Sequence, residues 1–291
     1  MPRTSVSVVI PTIGRDQVVK AVLSVLAQSH PVLEIIVVAD TEDEFALPQD
    51  PRIRVLRVGP RAGGNTARQA GVQAARGDCI ALLDDDDEWM PTKIEEQIAA
   101  IGEQSGSSWI ATSRVLMRRP GGETLVQPSR PLAPGENLLH YMFRKSSPRA
   151  GHGFIQASTL LFPRALAHEV PFDRSLPFHQ DISWLIDAYK RHSDLTVVQV
   201  WKPLTIYNST DGSVSKRIDP AKSIAWATRR LGHDRRTLGD FVLTQSLGFA
   251  RRNGDLSAMA STIIAGIRLG RPGPSAIFYS VVATIKTVVR S

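Results

Sequence analysis

The stretch CIALLDDDDEW (residues 79–89) joins a run of apolar residues to four consecutive aspartates. A buried strand that ends in stacked negative charge is costly unless a positive group lies beside it. Hard divalent cations such as Mg²⁺ or Mn²⁺ are the usual partners of convergent carboxylates. Open α/β sheets also bind their ligands at the carboxyl ends of parallel strands. The stretch therefore predicts a cation and ligand site at a sheet edge, and a solvated acidic turn is the alternative.

The chain around this stretch alternates short apolar, β-branched runs with segments of helical spacing. The predicted strands are 5–10, 34–38, 53–58 and 79–83, and the predicted helices are 15–27, 63–77 and 91–101. Alternation at this pace is typical of a mostly parallel sheet flanked by helices. The sequence therefore predicts an α/β fold.

The later part of the chain is more irregular before it becomes helical. We expect a hairpin of strands 109–117 and 123–126, a loop over 129–153 with a short helix at 137–143, a strand at 154–162, a helix at 181–191 and strands at 196–200 and 204–207. From about residue 220 the pattern is helical to the end. We therefore predict a domain over 1–217, with halves of about 1–105 and 106–217, and a helical C-terminal region over 218–291.

Composition limits the class of protein. The chain has 291 residues, a formal net charge of +7 and a single cysteine, Cys79, so no disulfide forms within it. No apolar signal segment follows Met1, and no run approaches the roughly 18 apolar residues of a membrane span. We therefore expect a cytoplasmic protein. Basic residues concentrate in the C-terminal part, which suits an anionic partner, but no nucleic-acid reader motif is present and no nucleic-acid partner is expected.

Further polar signals fall at the predicted strand ends: Pro11 and Thr12 after the first strand, Asp40 after the second, and Arg68 in the helix before the aspartates. With them, the sequence resembles family two glycosyltransferases, inverting enzymes of the Rossmann-like GT-A fold that use nucleotide sugars. The matching stretches are VVIPT (8–12), EIIVVAD (34–40), NTARQAG (65–71) and LLDDDD (82–87). The resemblance covers roughly residues 5–215.

The resemblance assigns the aspartate run to the family's Asp-x-Asp signature. Asp86 would be the direct ligand of Mg²⁺ or Mn²⁺, with Asp84 or Asp85 nearer the ribose of the nucleotide. A register beginning one residue later, with Asp87 as its last member, fits the same pattern and stays open. A divalent ion there would stabilise the departing nucleotide diphosphate.

The resemblance also assigns the nucleotide pocket. Asp40 would accept a hydrogen bond from the base, and an ionised carboxylate suits the imide N–H of uracil. Pro11 and Thr12 would shape the same pocket, and Arg68 would contact base or phosphate through its planar guanidinium. This chain has Ala39 where relatives often carry a second acid. The alternatives are an exposed strand-end aspartate at 40 and a surface ion pair at 68.

Inversion needs a carboxylate that takes the proton from the acceptor hydroxyl. The resemblance places Asp181 in that role, although Gln180 replaces the acid that normally precedes it. A simple helix N-cap is the alternative for Asp181. Lys216 or Arg217, in a segment similar to the family's loop over the donor diphosphate, would neutralise phosphate charge.

The function implied is a metal-dependent, inverting, hexosyltransferase-type glycosyltransferase. It would move a sugar from a nucleotide-diphosphate sugar, with UDP-sugar favoured, to a saccharide or lipid-linked acceptor in cell-surface polysaccharide or glycoconjugate synthesis. A catalytically silent nucleotide-sugar-binding or scaffold homologue is the main alternative. A sugar-phosphate nucleotidyltransferase fits less well, because the segment after the first strand lacks a glycine- and arginine-rich loop.

Residues 274–290 form an amphipathic segment that is too short to span a bilayer. Three interpretations stay open: the segment packs on the catalytic domain, pairs with another subunit, or makes peripheral contact with the inner face of an anionic membrane.

Overall fold

The aspartate run lies in the first of two units that make up the chain. The computed structural model describes residues 4–102, 108–119, 121–148, 153–209 and 218–289. The first unit consists of residues 1–127 and 155–209 and contains a β-sheet, and the second consists of 128–154 and 210–291 and is helical. Residues 128–154 thus group with the C-terminal helices, whereas the sequence prediction placed them within the domain 1–217.

The described part of the first unit holds a mixed sheet. Its strands are β1 (Val6–Thr12), β2 (Glu34–Ala39), β3 (Ile53–Arg57), β4 (Cys79–Leu82), β5 (Glu88–Trp89), β6 (Trp109–Arg118), β7 (Thr124–Gln127), β8 (Leu161–Pro163) and β9 (Thr196–Asn208). The strand order is β3-β2-β1-β4-β8-β6-β9-β5, with β7 paired to β6 outside this path. The first four strands are parallel, while β8 runs antiparallel to β4 and β6. The predicted α/β fold is confirmed.

Helices flank the sheet and make up the second unit. In chain order they are α1 (Val18–Leu26), α2 (Gly64–Ala74), α3 (Lys93–Ile101), α4 (Leu138–Phe143), α5 (Arg164–Glu169), α6 (Gln180–Arg191), α7 (Pro220–Leu231), α8 (Arg235–Phe241), α9 (Leu247–Arg252), α10 (Leu256–Leu269) and α11 (Pro274–Val288). On α1 the buried residues Val18, Val22 and Val25 recur at helical spacing and join the hydrophobic core of the first unit.

Parallel pairing brings three predicted site positions to one edge of the sheet. The backbone N–H of Asp40 donates to the carbonyl of Thr12 over 2.8 Å, and that of Leu83 donates to the carbonyl of Val9 over 3.1 Å. Strands β1, β2 and β4 therefore end side by side. Their carboxyl ends carry Thr12, Asp40 and the start of the aspartate run at Asp84.

The predicted strand at 154–162 is wrong over most of its length. Residues 157–159 form a 3₁₀ turn, and only Leu161–Pro163 is a strand. The cause is local: Oε1 of Gln156 accepts from the N–H of Ser158 over 3.0 Å, which gives the backbone an alternative to a sheet ladder. This turn faces the aspartates.

The two late strands predicted at 196–200 and 204–207 are one strand, β9. Its pairing with β6 shifts register beside Arg114, which lies opposite Pro203. Proline has no backbone N–H to donate, so an irregularity at that point lets the strand continue.

The second unit is helical, as the sequence predicted for the C-terminal region. A π-helical turn, Val242–Ser246, joins α8 to α9. The ring of Phe241 contacts those of Phe143 and Trp226, with centroids 5.4 Å and 5.3 Å apart. Within the residues that the structure describes, no helix is long and apolar enough to cross a membrane.

We predict that Gly71→Ala lowers the free energy of unfolding of the first unit. A Cβ at this position of α2 would overlap the side chain of Val9 and lie 3.1 Å from Cγ2 of Val38. Overpacking of this kind costs about 1–3 kcal/mol, which exceeds the gain in helix propensity from alanine. Urea denaturation followed by circular dichroism measures the change. Gln73→Ala, at an exposed position of the same helix, is the control, and equal midpoints for the two variants would contradict close packing at residue 71.

Candidate active site

The four aspartates after β4 contact different partners. Oδ1 of Asp84 accepts from Nη2 of Arg68 over 2.6 Å, and its Oδ2 accepts from Nε2 of Gln156 over 3.0 Å. The side chain of Asp84 is thereby held between α2 and the 3₁₀ turn.

Asp85 and Asp86 share one cation. Nη1 of Arg15 lies 3.2 Å from Oδ1 of Asp85 and 3.2 Å from Oδ2 of Asp86. Asp85 is buried, and its Oδ2 accepts from the hydroxyl of Thr12 over 2.7 Å. Thr12 therefore fixes the acidic run to the end of β1, in addition to the pocket role predicted for it.

Asp87 points into the protein. It is only 1% exposed, and it accepts from Oγ of Ser158 over 2.7 Å, from Nε2 of Gln156 over 2.9 Å and from the backbone N–H of Asn208 over 3.0 Å. These bonds tie the run to the 3₁₀ turn and to the end of β9. Because Asp87 is occupied in this way, the geometry favours Asp84-x-Asp86 over the register that ends at Asp87.

Crowded carboxylates change the acidity of the run. Burial, followed by the charges of Asp84 and Asp85, raises the pKa of Asp86 to about 6, although Arg15 acts in the opposite direction. Burial also raises the pKa of Asp85 and, most strongly, that of Asp87. Burial and mutual repulsion therefore oppose the charged forms of these carboxylates, and a nearby cation would favour those forms.

A hard divalent cation fits this charge and this all-oxygen donor set. The described ranges, however, contain no group of three or more His, Cys, Asp and Glu side chains arranged to hold a metal ion. A cation at Asp86 would therefore take further oxygen ligands from the diphosphate and from water.

Asp40 is nearly buried and faces the loop before α2. Its Oδ1 accepts from the N–H of Ala62 over 2.7 Å, and its Oδ2 accepts from the N–H of Gly63 over 2.8 Å. Gly63 has φ 92°, in the region that favours glycine, and the chain turns there into α2. Asp40 thus shapes the loop beside the end of β2, and the base contact predicted for it remains a prediction.

Arg68 joins the acidic run to α6. Its guanidinium donates to Asp84 from Nη2 and to Oε1 of Gln180 from Nη1, the latter over 2.7 Å. Its Nε is buried and has no hydrogen-bond partner among the residues described. The residue is not the surface helix arginine that was the alternative.

Gln180 has a contact pattern that a carboxylate lacks. Its Oε1 accepts from Arg68, while its Nε2 donates to the carbonyl of Leu176 over 2.9 Å. An ionised glutamate would accept from the arginine but would present a second acceptor to the Leu176 carbonyl. The local structure therefore accounts for the departure from the acidic pair.

Asp181 lies in the first turn of α6, next to Gln180. Its Oδ2 accepts from the N–H of Ala157 over 3.1 Å, and its Oδ1 accepts from the N–H of Ile182 over 2.9 Å. Burial and the nearby charge of Asp84 raise the pKa of Asp181, and Arg68 opposes this rise. The N-cap of α6 is His179, so the alternative assignment of Asp181 as the cap is wrong.

Several residues of this arrangement escaped the sequence analysis. Arg15, Gln156, Ser158 and Asn208 all contact the acidic run. Only Arg15 carried a sequence signal, as a cation that closely follows Pro11 and Thr12. The other three are neutral, and a pattern of charge and hydropathy does not mark them. Lys216 and Arg217 lie outside the described residues.

The fold and the acidic edge define an α/β protein with a candidate ligand site at the carboxyl ends of parallel strands. Residues 7–156, just over half of the chain, match the family described as "Glycosyl transferase family 2". The chain therefore belongs to glycosyl transferase family 2.

Two similar proteins agree with this assignment, and one solved structure has a similar fold. The chain is 29% identical over 241 residues to the amylovoran biosynthesis glycosyltransferase AmsB of Erwinia amylovora, covering 78% of this chain and 77% of that protein. It is 38% identical over 89 residues to the succinoglycan biosynthesis protein ExoO of Rhizobium meliloti, covering 28% of this chain and 25% of ExoO. The structure of S. aureus TarS 1-349 in complex with UDP-GlcNAc aligns with a TM-score of 0.63 at 15% identity, covering 97% of this chain and 89% of that one. This last similarity shows the fold.

We predict that His179 makes the first unit sensitive to acid. Burial lowers the pKa of His179 to about 4, whereas an unfolded histidine titrates near 6.5. Protons therefore bind the unfolded chain more tightly, and stability falls as the pH drops from about 6.5 to about 4, by about 3 kcal/mol. His179→Asn should flatten this part of the profile, and asparagine tolerates the φ of 53° found there.

Urea denaturation at several pH values across this window measures the effect. His168→Asn, at an exposed position of α5, is the control for loss of a histidine from the same unit. A profile for His179→Asn with the slope of the unsubstituted protein would contradict the role of His179.

Proposed function

We propose that the protein is a metal-dependent, inverting glycosyltransferase of the hexosyltransferase type. It transfers a sugar from a UDP-sugar to a saccharide or lipid-linked acceptor in the synthesis of a cell-surface polysaccharide. The observation that carries this proposal is the position of Arg68. Its guanidinium bonds both Asp84, on the donor side, and Gln180, whose neighbour Asp181 is the proposed base.

The donor part of the proposal rests on family membership and on the residues at the strand ends. Thr12, Asp40 and Asp84 end adjacent parallel strands, which is where α/β sheets bind nucleotides. Pro11 and Thr12 would border the base, Asp40 would accept from it, and Arg68 would contact the nucleotide. The TarS structure that shares the fold is a complex with UDP-GlcNAc, and AmsB is named for amylovoran biosynthesis. The TarS complex supports a UDP-sugar donor, and the name of AmsB supports a polysaccharide product.

The metal part of the proposal rests on the clustered carboxylates of the acidic run. Asp86 would hold Mg²⁺ or Mn²⁺, while Asp84 and Asp85 would lie nearer the ribose. When bound, the cation supplies Lewis-acid stabilisation of the leaving diphosphate. Arg15 pairs with Asp86 in the structure, which orients this carboxylate and partly opposes the rise in its pKa.

The base part of the proposal rests on the hydrogen bonds and the pKa of Asp181. Two backbone N–H groups orient its carboxylate, and its raised pKa makes it a stronger base than a solvated carboxylate. It would take the proton of the acceptor hydroxyl as that oxygen attacks the anomeric carbon from the face opposite the diphosphate. Attack from that face inverts the configuration at the anomeric carbon.

A catalytically silent homologue is the second candidate, because Gln180 stands where relatives carry an acid. The contacts of Gln180 favour an active protein instead. The amide keeps its hydrogen bond to Arg68, which in turn bonds Asp84, and it adds no further carboxylate to that of Asp84 near Asp181.

We predict that Asp181→Asn lowers turnover by at least about a thousandfold and leaves UDP affinity within about threefold of the unsubstituted protein. The amide retains the size of the side chain but does not accept a proton at neutral pH. Release of UDP from UDP-sugars measures turnover, and calorimetry measures affinity. Asp187→Asn, farther along the same helix, is the control. If Asp181→Asn keeps near-normal turnover, the base lies elsewhere.

We predict that Asp86→Asn removes the dependence of UDP binding on Mn²⁺. The unsubstituted protein should bind UDP at least about tenfold more tightly with Mn²⁺ than with a chelator. Asp86→Asn should bind equally weakly in both conditions. Calorimetry reports this without any catalytic turnover. Asp78→Asn, at an acid just before β4 and away from the run, is the control, and Mn²⁺ dependence that survives in Asp86→Asn would contradict the proposed ligand.

A further inference from the structure

Helix α11 in the second unit packs with its small side chains inward and its large apolar side chains outward. The buried positions are Ala276, Ser280 and Ala283, which follow one side of the helix. The opposite side is exposed and consists of Ile277, Phe278, Val281, Ile285 and Val288. This is the reverse of the usual arrangement, in which the large apolar residues of a helix face the core.

Helix α10 follows the same pattern. Its buried positions include Thr262 and Gly266, and a Cβ at Gly266 would lie 2.7 Å from Cδ2 of Leu243. Ile264 and Ile267 are more than half exposed. Thr262 and Gly266 therefore hold α10 in place together with Met259, while Ile264 and Ile267 are left in solvent.

The exposed apolar side chains of the described residues are concentrated on these two helices. Ten of the fifteen large ones lie between Leu256 and Val289. We call the outward side chains of α10 and α11 the α10–α11 surface; it consists of Ile264, Ile267, Ile277, Phe278, Val281, Ile285 and Val288. Both helices pack against a shared apolar cluster that contains Met259 and Ala283, so they form one body. An exposed apolar concentration of this size marks an interaction surface.

The charged residues that follow Asp255 in the sequence are all positive. The sequence after Asp255 contains no Asp or Glu, whereas it contains Arg268, Arg271, Lys286 and Arg290. A partner that covers this region must therefore be apolar and anionic. A second copy of the chain would bring the same cations to the interface, where like charges repel.

A lipid bilayer with anionic head groups has both properties. With 15 residues, α11 is shorter than the roughly 20 that a transmembrane helix needs, so its apolar side would lie along the membrane. Exposed isoleucine, valine and phenylalanine would enter the boundary between head groups and acyl chains, and the arginines and the lysine would meet the phosphates.

We propose that the α10–α11 surface binds peripherally to anionic membranes. This inference does not depend on the transfer chemistry, since it concerns the helical unit alone.

Flotation of the full chain with vesicles tests the proposal. We expect the chain to float with vesicles of phosphatidylcholine containing about 30 mol% phosphatidylglycerol, and at least about tenfold less with phosphatidylcholine alone. Phe278→Gln/Ile285→Gln removes two exposed apolar side chains and should lower binding by at least about tenfold. Leu23→Gln/Leu33→Gln, which removes two exposed leucines from the first unit, is the matched control and should bind normally.

A charge variant provides a second, independent measurement. Arg268→Gln/Lys286→Gln leaves the apolar side chains in place and should weaken the preference for phosphatidylglycerol by about tenfold. Absence of flotation, or equal flotation for the Phe278 and Leu23 double variants, would overturn the proposal. So would sedimentation showing a dimer that Phe278→Gln/Ile285→Gln dissociates, because the surface would then be an interface between copies. Loss of glycosyl transfer with normal flotation would count against the proposed function only.

Discussion

The contact of Arg68 with Asp84 and Gln180 is the interaction on which the arrangement of the candidate site depends. A buried guanidinium is costly in itself, and burial acts to lower the pKa of Arg68 while Asp84 and then Asp181 act to raise it, with a net rise. The arginine compensates the acids of two separate segments, one after β4 and one at the start of α6. Without it, Asp84 and Asp181 would be neighbouring, partly buried carboxylates with little to offset their repulsion. The guanidinium of Arg68 thus allows Asp84 and Asp181 to lie close together in one site.

The neutral side chain of Gln180 also limits the negative charge around Arg68. An acid at this position would add a negative charge beside Asp181 and Asp84, and the surroundings already raise the pKa of Asp181. With glutamine, Arg68 keeps its hydrogen bond while the local charge stays lower. The departure from the family pattern is therefore consistent with a working base.

Much of the parallel half of the fold follows from sequence. Strands β1, β2 and β4 are mostly apolar runs, and β3 mixes apolar residues with arginines; their composition and length define them without knowledge of distant contacts. The aspartate run, Asp40, Arg68 and Asp181 also stand out in the sequence as candidate site residues, because they are charged. Their partners do not. Gln156 and Ser158 lie in a turn that the sequence presents as a strand, and Asn208 approaches only because β9 continues past Pro203. Neutral hydrogen-bond donors acquire their importance from tertiary structure, and a one-dimensional pattern does not reveal it.

The inward turn of Asp87 also limits how far the chain can be shortened. The family match ends at residue 156, and a fragment that ended there would retain all four aspartates together with Arg15 and Arg68. It would lack Ser158 and Asn208, two of the donors that compensate the buried Asp87 carboxylate. Such a fragment would carry all four aspartates but would lack hydrogen bonds that fix the conformation of the run. The smallest unit that supports the site therefore extends through the end of β9, well beyond the segment that identifies the family.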